Sequence, residues 1–199
     1  MLVLVTGGAR SGKSSFAEAY ASSLAGEGVY IATAQAYDEE MKDRIALHRQ
    51  QRDEAGYRWT TVEQPYELAG ALMQWALNTE TGAEKAAGSP KAPVVLIDCL
   101  TLWLSNWLLR YEQEPDAEQR VKGELDQLVA ACRRFADSGR NLVLVTNEVG
   151  YGLVPEYKLG RQFRDLSGIM NQRLAREAEQ VFLVTAGIPI ELKSRAFSL

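Results

Sequence analysis

Eight residues near the start of the chain, Gly7-Gly8-Ala9-Arg10-Ser11-Gly12-Lys13-Ser14, constrain it more than any other feature. They satisfy G-x-x-x-x-G-K-[ST] at every defined position, between an apolar strand pattern at Leu2–Thr6 and a helical pattern at Lys13–Ala25. Glycines let backbone N–H groups turn inward around a phosphate, and the helix N-terminus adds partial positive charge at the same place. Lys13 is spaced to reach the outer phosphates of a nucleotide, and the Ser14 hydroxyl to coordinate Mg²⁺. Nucleotide phosphates are therefore expected at Gly7, Gly8, Ala9, Arg10, Ser11, Gly12, Lys13 and Ser14.

The rest of the chain repeats the strand-then-helix rhythm. Strands are expected at Leu2–Thr6, Val29–Thr33, Trp59–Val62, Val94–Asp98, Leu142–Asn147 and Val181–Thr185, with a last short one at Ile188–Leu192. Helices are expected at Lys13–Ala25, Glu39–Glu54, Pro65–Asn78, Leu100–Tyr111, Asp116–Asp137 and Gly160–Glu179. This alternation implies a three-layer α/β fold, a mainly parallel sheet with helices on both faces and ligands at the carboxyl ends of the strands. With 199 residues, one catalytic domain over 1–199 is expected. Thr79–Ala92, rich in Ala, Gly, Glu, Lys and Pro, reads as a surface loop within that domain, because the pieces flanking it belong to one sheet.

Val94-Val95-Leu96-Ile97-Asp98 is the natural companion of the phosphate loop. Four apolar residues bury the strand, and Asp98 emerges at its carboxyl end, where it fits the water shell of a bound Mg²⁺ or simply caps the next helix. A regulatory GTP switch is excluded. Asp53–Gly56 and Asp165–Gly168 match D-x-x-G, but neither follows an apolar strand, and no N/T-K-x-D follows one either. A formal net charge of −4 argues against a nucleic-acid partner. The apolar stretch Pro93–Leu109 is interrupted by Asp98, Thr101, Ser105 and Asn106, so it is no membrane span. Met1–Val5 is too short for a signal-peptide core, and the expected location is the cytoplasm.

His48 is the one histidine, and it lies far in sequence from Cys99 and Cys132, which makes a Cys/His zinc site hard to build. Two cysteines without a C-x-x-C pattern fit a reducing compartment. At helical spacing Met41, Ile45, His48 and Arg52 share a face, Arg44 and Arg52 border the imidazole, and Arg49 adjoins it. Three guanidiniums would trap a polyphosphate and keep the ring neutral, leaving a nitrogen lone pair to attack phosphorus. The same residues also read as a histidine packed at a helix edge beside solvated arginines. Two segments resemble ligand loops: Tyr30–Ala34, which ends a strand in small residues, and Asn147–Pro155, in which Glu148 fits either a substrate contact or a solvated carboxylate. Arg161, Arg164, Arg173 and Arg176 suit a solvated helix face better than phosphate binding.

The order and combination of these motifs resemble the bifunctional adenosylcobinamide kinase / adenosylcobinamide-phosphate guanylyltransferase family of cobalamin biosynthesis. Its carriers are Gly7–Ser14, Tyr30–Thr33, Arg44-Ile45-x-x-His48-x-x-x-Arg52, Asp98–Thr101, Thr146–Gly150, Phe163–Asp165 and Asn171-Gln172, spread over nearly the whole chain. The resemblance implies a RecA-like P-loop fold, a homotrimer and two reactions. In the first, ATP or GTP phosphorylates adenosylcobinamide; in the second, GMP passes from GTP to adenosylcobinamide phosphate through a guanylyl-histidine. The matching positions make His48 the nucleophile and Lys13 its catalytic companion. The guanine-nucleotide site would comprise Gly7–Ser14, Ala32, Thr33, Ala34, Arg49, Gln50, Gln51, Arg52, Glu63 and Asp98, with Ser14 and Asp98 toward Mg²⁺. The alternatives are a P-loop small-molecule kinase without guanylyl transfer, or a non-catalytic nucleotide-binding module.

Overall fold

The computed structural model describes residues 1–36, 38–77 and 92–197, without the side chains of Glu40, Arg44, His48, Gln51 and Leu77. The expected loop over 79–91 and the helix end at Asn78 lie outside the described residues. Chain order is β1 (Leu2–Gly7), α1 (Lys13–Leu24), β2 (Glu27–Ala32), α2 (Glu39–Glu54), β3 (Arg58–Glu63), α3 (Leu68–Leu77) and β4 (Val94–Asp98). There follow α4 (Leu100–Arg110), α5 (Ala117–Asp137), β5 (Leu142–Val145), α6 (Lys158–Glu177), β6 (Gln180–Thr185) and β7 (Ile188–Glu191).

The seven strands form one sheet in the order β3-β2-β4-β5-β1-β6-β7. All neighbours are parallel except β6 and β7, which form an antiparallel hairpin at one edge. Alternation within β1 shows why the apolar runs are continuous. Leu2 and Leu4 face a layer built from α3, α4, α5 and α6, with Trp103, Phe135, Leu125 and Met170 among its buried residues. Val3 and Val5 face the opposite side, against Ala17 and Ala21 of α1. Helices thus cover both faces, as a parallel sheet requires.

Register places the chemistry. Glu63 of β3 pairs with Ala32 of β2, Ala32 with Asp98 of β4, and Asp98 with Val145 of β5. These residues form one rung at the carboxyl edge, and Gly7 ends β1 just beyond it. At the usual strand spacing, β2 stands about 14 Å from β1 along this edge.

Two elements depart from expectation for visible reasons. Strand β5 stops at Val145 rather than Asn147: the Thr146 N–H still donates to Val5 O (2.9 Å), but the Asn147 carbonyl accepts from Asn171 Nδ2 (3.1 Å) rather than from a neighbouring strand. Helix α3 starts at Leu68 rather than Pro65. The carbonyls of Pro65 and Tyr66 instead accept bonds from Asn106 Nδ2 (3.0 Å) and Trp103 Nε1 (2.7 Å) of α4, which ties this corner to the helix following Asp98.

Candidate active site along the carboxyl edge of the sheet

The phosphate loop takes the conformation that its glycines permit. Gly12 sits at φ +90° and Arg10 at φ +54°. A Cβ on Gly7 would come within 2.4 Å of the Val184 carbonyl oxygen and 2.6 Å of Ser11 Oγ, so the strand can approach its neighbours only without a side chain. Two other loops brace the turn: Gly187 N–H, from the β6–β7 hairpin, donates to Ser11 O (2.8 Å), and Glu148 N–H donates to Gly7 O (3.0 Å). Lys13 opens α1 with only 9 % of its surface exposed, and its ammonium donates to Gly8 O (3.1 Å). The cation is therefore held folded over the loop, where a phosphate oxygen can exchange for the carbonyl. Ser11 Oγ is buried without a hydrogen-bond partner.

Asp98 lies between this loop and the far end of the sheet. Its Oδ2 accepts the Tyr30 hydroxyl (3.0 Å), while Arg52 of α2 places its guanidinium carbon 3.7 Å from the Tyr30 ring centroid. Glu18 of α1 belongs to the same cluster. Burial pushes its carboxyl up to about 7; Arg52 works against that rise and Asp98 adds to it. Burial, and then the Asp98 charge, also hold the Tyr30 phenol well above its usual range, so it remains a donor. The Cys99 thiol, pushed up to about 11 chiefly by burial, and Cys132, pushed up to about 12 by burial alone, are not thiolates at neutral pH.

A cleft of about 990 Å³ opens at the ends of β2 and β3 beneath α2. Ala32, Ala34, Arg49, Gln50 and Glu63 line it, so five of the expected nucleotide contacts meet there. Across the cleft the Arg49 guanidinium donates to the Glu63 carboxylate.

Other expected residues are placed differently. The phosphate loop does not line the cleft but stands further along the same edge. Thr33 is fully buried: its hydroxyl donates to Cys99 O (2.7 Å) and accepts from Cys99 N–H (2.9 Å). Arg52 is 4 % exposed and stacks on Tyr30, while Arg49 reaches Glu63. His48 lies on α2 one turn before Arg52; its side chain and those of Arg44 and Gln51 fall outside the description. Arg164 donates to Gly150 O (2.6 Å) and Arg173 to Asp126 Oδ1 (2.6 Å), as suits supporting arginines.

Sequence reasoning missed Gln35 and Glu18. Gln35 lines the cleft, yet its Nε2 is buried with no hydrogen-bond partner, the mark of a donor awaiting an acceptor. Its signal was slight, a lone amide between Ala34 and Ala36. Glu18 could have been found from its place four residues past Ser14, on the same side of α1.

The family model for CobU, cobinamide kinase / cobinamide phosphate guanyltransferase, matches residues 3–192. The chain belongs to this family. Among CobU relatives, the bifunctional adenosylcobalamin biosynthesis protein CobU of Escherichia coli (strain K12) is 41% identical over 201 residues, covering 97% of this chain and all of the relative. The protein of the same name in Salmonella typhimurium (strain LT2) is 40% identical over 202 residues, with coverage of 97% and 100%. CobP of Pseudomonas aeruginosa is 41% identical over 190 residues, covering 96% of each chain. A solved ATPase domain superposes with a TM-score of 0.50 at 12% identity, over 92% of this chain and 68% of its own. That likeness concerns the fold alone, a RecA-like P-loop α/β architecture.

Proposed function

We propose that the chain is a two-reaction enzyme of cobalamin nucleotide-loop assembly, and that it works along one edge of its sheet. As a member of the CobU family it is a cobinamide kinase and cobinamide phosphate guanylyltransferase. The first step would use ATP or GTP, and the second GTP. The observation that carries the site assignment is the shared edge. The phosphate loop, Asp98 and the β2–β3 cleft lie in a row, and the helix bearing His48 roofs the cleft.

In the kinase step the aminopropanol hydroxyl of adenosylcobinamide attacks the γ-phosphorus, and the bond to the β-phosphate oxygen breaks. Lys13 and the backbone of Gly7–Ser14 take up the charge that develops on the departing diphosphate. In the second step a ring nitrogen of His48 attacks the α-phosphorus of GTP, pyrophosphate leaves, and GMP is held through a nitrogen–phosphorus bond. A phosphate oxygen of adenosylcobinamide phosphate then attacks that phosphorus, the bond to nitrogen breaks, and adenosylcobinamide-GDP forms with His48 restored. GTP stretched along the edge would place its base in the cleft against Ala32, Ala34 and Glu63, and its outer phosphates toward Lys13. The Glu63 carboxylate suits the N1–H and amino group of guanine once Arg49 releases it.

Ser14 and Asp98 supply a hydroxyl and a carboxylate at partly open positions, the oxygen donors that Mg²⁺ takes together with nucleotide phosphates. Among the described residues no group of three His, Cys, Asp or Glu could hold a metal alone, which suits an ion brought in by its nucleotide. Mg²⁺ would supply neutralisation of phosphate charge. A single catalytic domain over 1–199, a cytoplasmic location and a homotrimer complete the proposal. The two buried free cysteines fit a reducing compartment, and the exposed Tyr151, Leu153, Val154 and Tyr157 fit a subunit contact.

The test is incubation with α-labelled GTP and Mg²⁺, followed by denaturation. An acid-labile, base-stable label on the wild type that vanishes in His48→Ala is the expected result. Phosphorylated corrinoid with no label on the wild type would leave a kinase alone and overturn the histidyl step.

A further inference from the structure

Helix α2 carries the proposed nucleophile, yet its described side chains bury little against the sheet. Among its described side chains Arg52 is the only buried one; Met41 and Ile45 are partly covered, and the remainder are exposed. Its register over the sheet therefore depends on a guanidinium rather than on apolar area. That guanidinium lies against the face of Tyr30, whose hydroxyl donates to Asp98 Oδ2 at 3.0 Å. One aromatic side chain, itself 5 % exposed, thus touches both the attachment point of α2 and the carboxylate beside the phosphate loop.

We propose that Tyr30 and Arg52 are positioning residues, which couple the placement of α2 and its His48 to the orientation of the Asp98 carboxylate. This inference rests on the two-reaction reading above. Burying a cation is costly where an apolar side chain would serve, so a buried, stacked arginine selects one geometry rather than merely adding adhesion. Glu18, approaching from the helix that begins at the phosphate loop, adds a carboxyl to the neighbourhood of Arg52 and Asp98. Three elements, α1, β4 and α2, therefore converge on one cluster whose tyrosine and arginine are buried and whose two carboxyls are partly open. The rung pairing of Ala32 with Asp98 keeps β2, and with it Tyr30, in fixed register beside β4.

The test uses full-length protein and two separable assays. One is the rate of ATP-dependent corrinoid phosphorylation as a function of Mg²⁺; the other is single-turnover covalent labelling by α-labelled GTP. Tyr30→Phe keeps the ring under Arg52 but removes the bond to Asp98. Its expected result is a rise of about tenfold in the Mg²⁺ concentration giving half the maximal phosphorylation rate, the scale of losing one hydrogen bond to a charged group. Arg52→Met removes the stack, and labelling is expected to slow about tenfold together with a rise in the half-maximal Mg²⁺ concentration, because the ring that orients Asp98 is no longer held from α2. Arg52→Lys, which keeps the charge but loses the planar stack, is expected to recover labelling only in part.

The double variant Tyr30→Phe/Arg52→Met decides the coupling. Under the proposal the shift in Mg²⁺ dependence of the double variant is smaller than the product of the two single ones, because either change already breaks the link from α2 through Tyr30 to Asp98. Defects that multiply independently overturn the proposal. So does an equal loss of both activities that follows the fall in melting temperature, since a purely structural role predicts that pattern. A wild type that takes up no label overturns the histidyl reading, and the coupling with it, whereas a labelled wild type with independent defects overturns the coupling alone.

Discussion

Replacing Glu18 by glutamine removes one titration from the buried cluster while keeping the shape of the side chain. In the folded protein burial raises this carboxyl from 4.5 to about 7, against the opposing pull of Arg52 on α2 and with the support of Asp98 on β4. The neutral form is thus favoured by folding. Between pH 4.5 and 7 the native state binds more protons than the unfolded chain, so stability from this group is fully present below pH 4.5 and is lost as pH rises through about 7. A shift of that size corresponds to about 3 kcal/mol at most. Glu18 is partly open to solvent, and screening reduces the expectation to about 1–2 kcal/mol. The assay is urea unfolding of wild type and Glu18→Gln at pH 4.5 and pH 8, without nucleotide or divalent cation. The variant should gain about 1–2 kcal/mol relative to wild type between the two pH values, near 3–6 °C in melting temperature. A difference that does not change with pH, or one that favours wild type at pH 8, would refute the argument from burial.

Gly12→Ala places a β-carbon at φ +90° and 3.2 Å from Gly187 Cα. It should weaken nucleotide binding by about tenfold in calorimetric titration, with an unfolding loss of about 1–2 kcal/mol. Gln35→Leu removes a buried donor that has no partner, so chemical denaturation should find the variant about 1 kcal/mol more stable. Because that amide lines the cleft, GTP binding should fall at the same time, by about tenfold in the same titration, and a variant that binds GTP as the wild type does would remove Gln35 from the site. Phe135→Ala empties a fully buried position on α5, far from the carboxyl edge. It should cost about 3–5 kcal/mol in unfolding while leaving the KM for GTP in place, a split that separates stability from function.

Much of this architecture was legible in the residues because its signals are local. Each β-branched run became a strand, and each helical pattern a helix, since a parallel sheet covered on both faces needs continuous apolar segments. The phosphate loop was legible for the same reason: its glycines answer to backbone geometry within eight residues. What stayed hidden depends on distant partners. Helical spacing put Arg52 beside His48, but nothing local showed that the ring of Tyr30, 22 positions earlier, would take it into the interior. Thr33 read as one of a run of small residues, and nothing local showed that its hydroxyl would bond the Cys99 carbonyl and N–H. The strand order β3-β2-β4-β5-β1 likewise has no local trace, and it is this order that sets the cleft apart from the phosphate loop.

The contrast between α5 and α2 carries the argument one step further. Helix α5 buries Val121, Leu125, Leu128, Val129, Ala131, Cys132 and Phe135, and at about 1.5–3 kcal/mol for each large side chain its attachment amounts to about 10 kcal/mol. Among its described side chains, helix α2 buries one stacked guanidinium, a contact worth about 0.5–2 kcal/mol, half-covers Met41 and Ile45, and adds the Arg49–Glu63 pair at the cleft. Elements fixed by so little lie at the low-stability end of a fold, where shifts cost least. If the proposed site holds, the sheet edge, the phosphate loop and Asp98 would form its rigid part, and α2 the part that a nucleotide could reposition. Under the proposed reading, a guanine that draws Glu63 away from Arg49 would loosen that tie and leave the Tyr30–Arg52 stack in place.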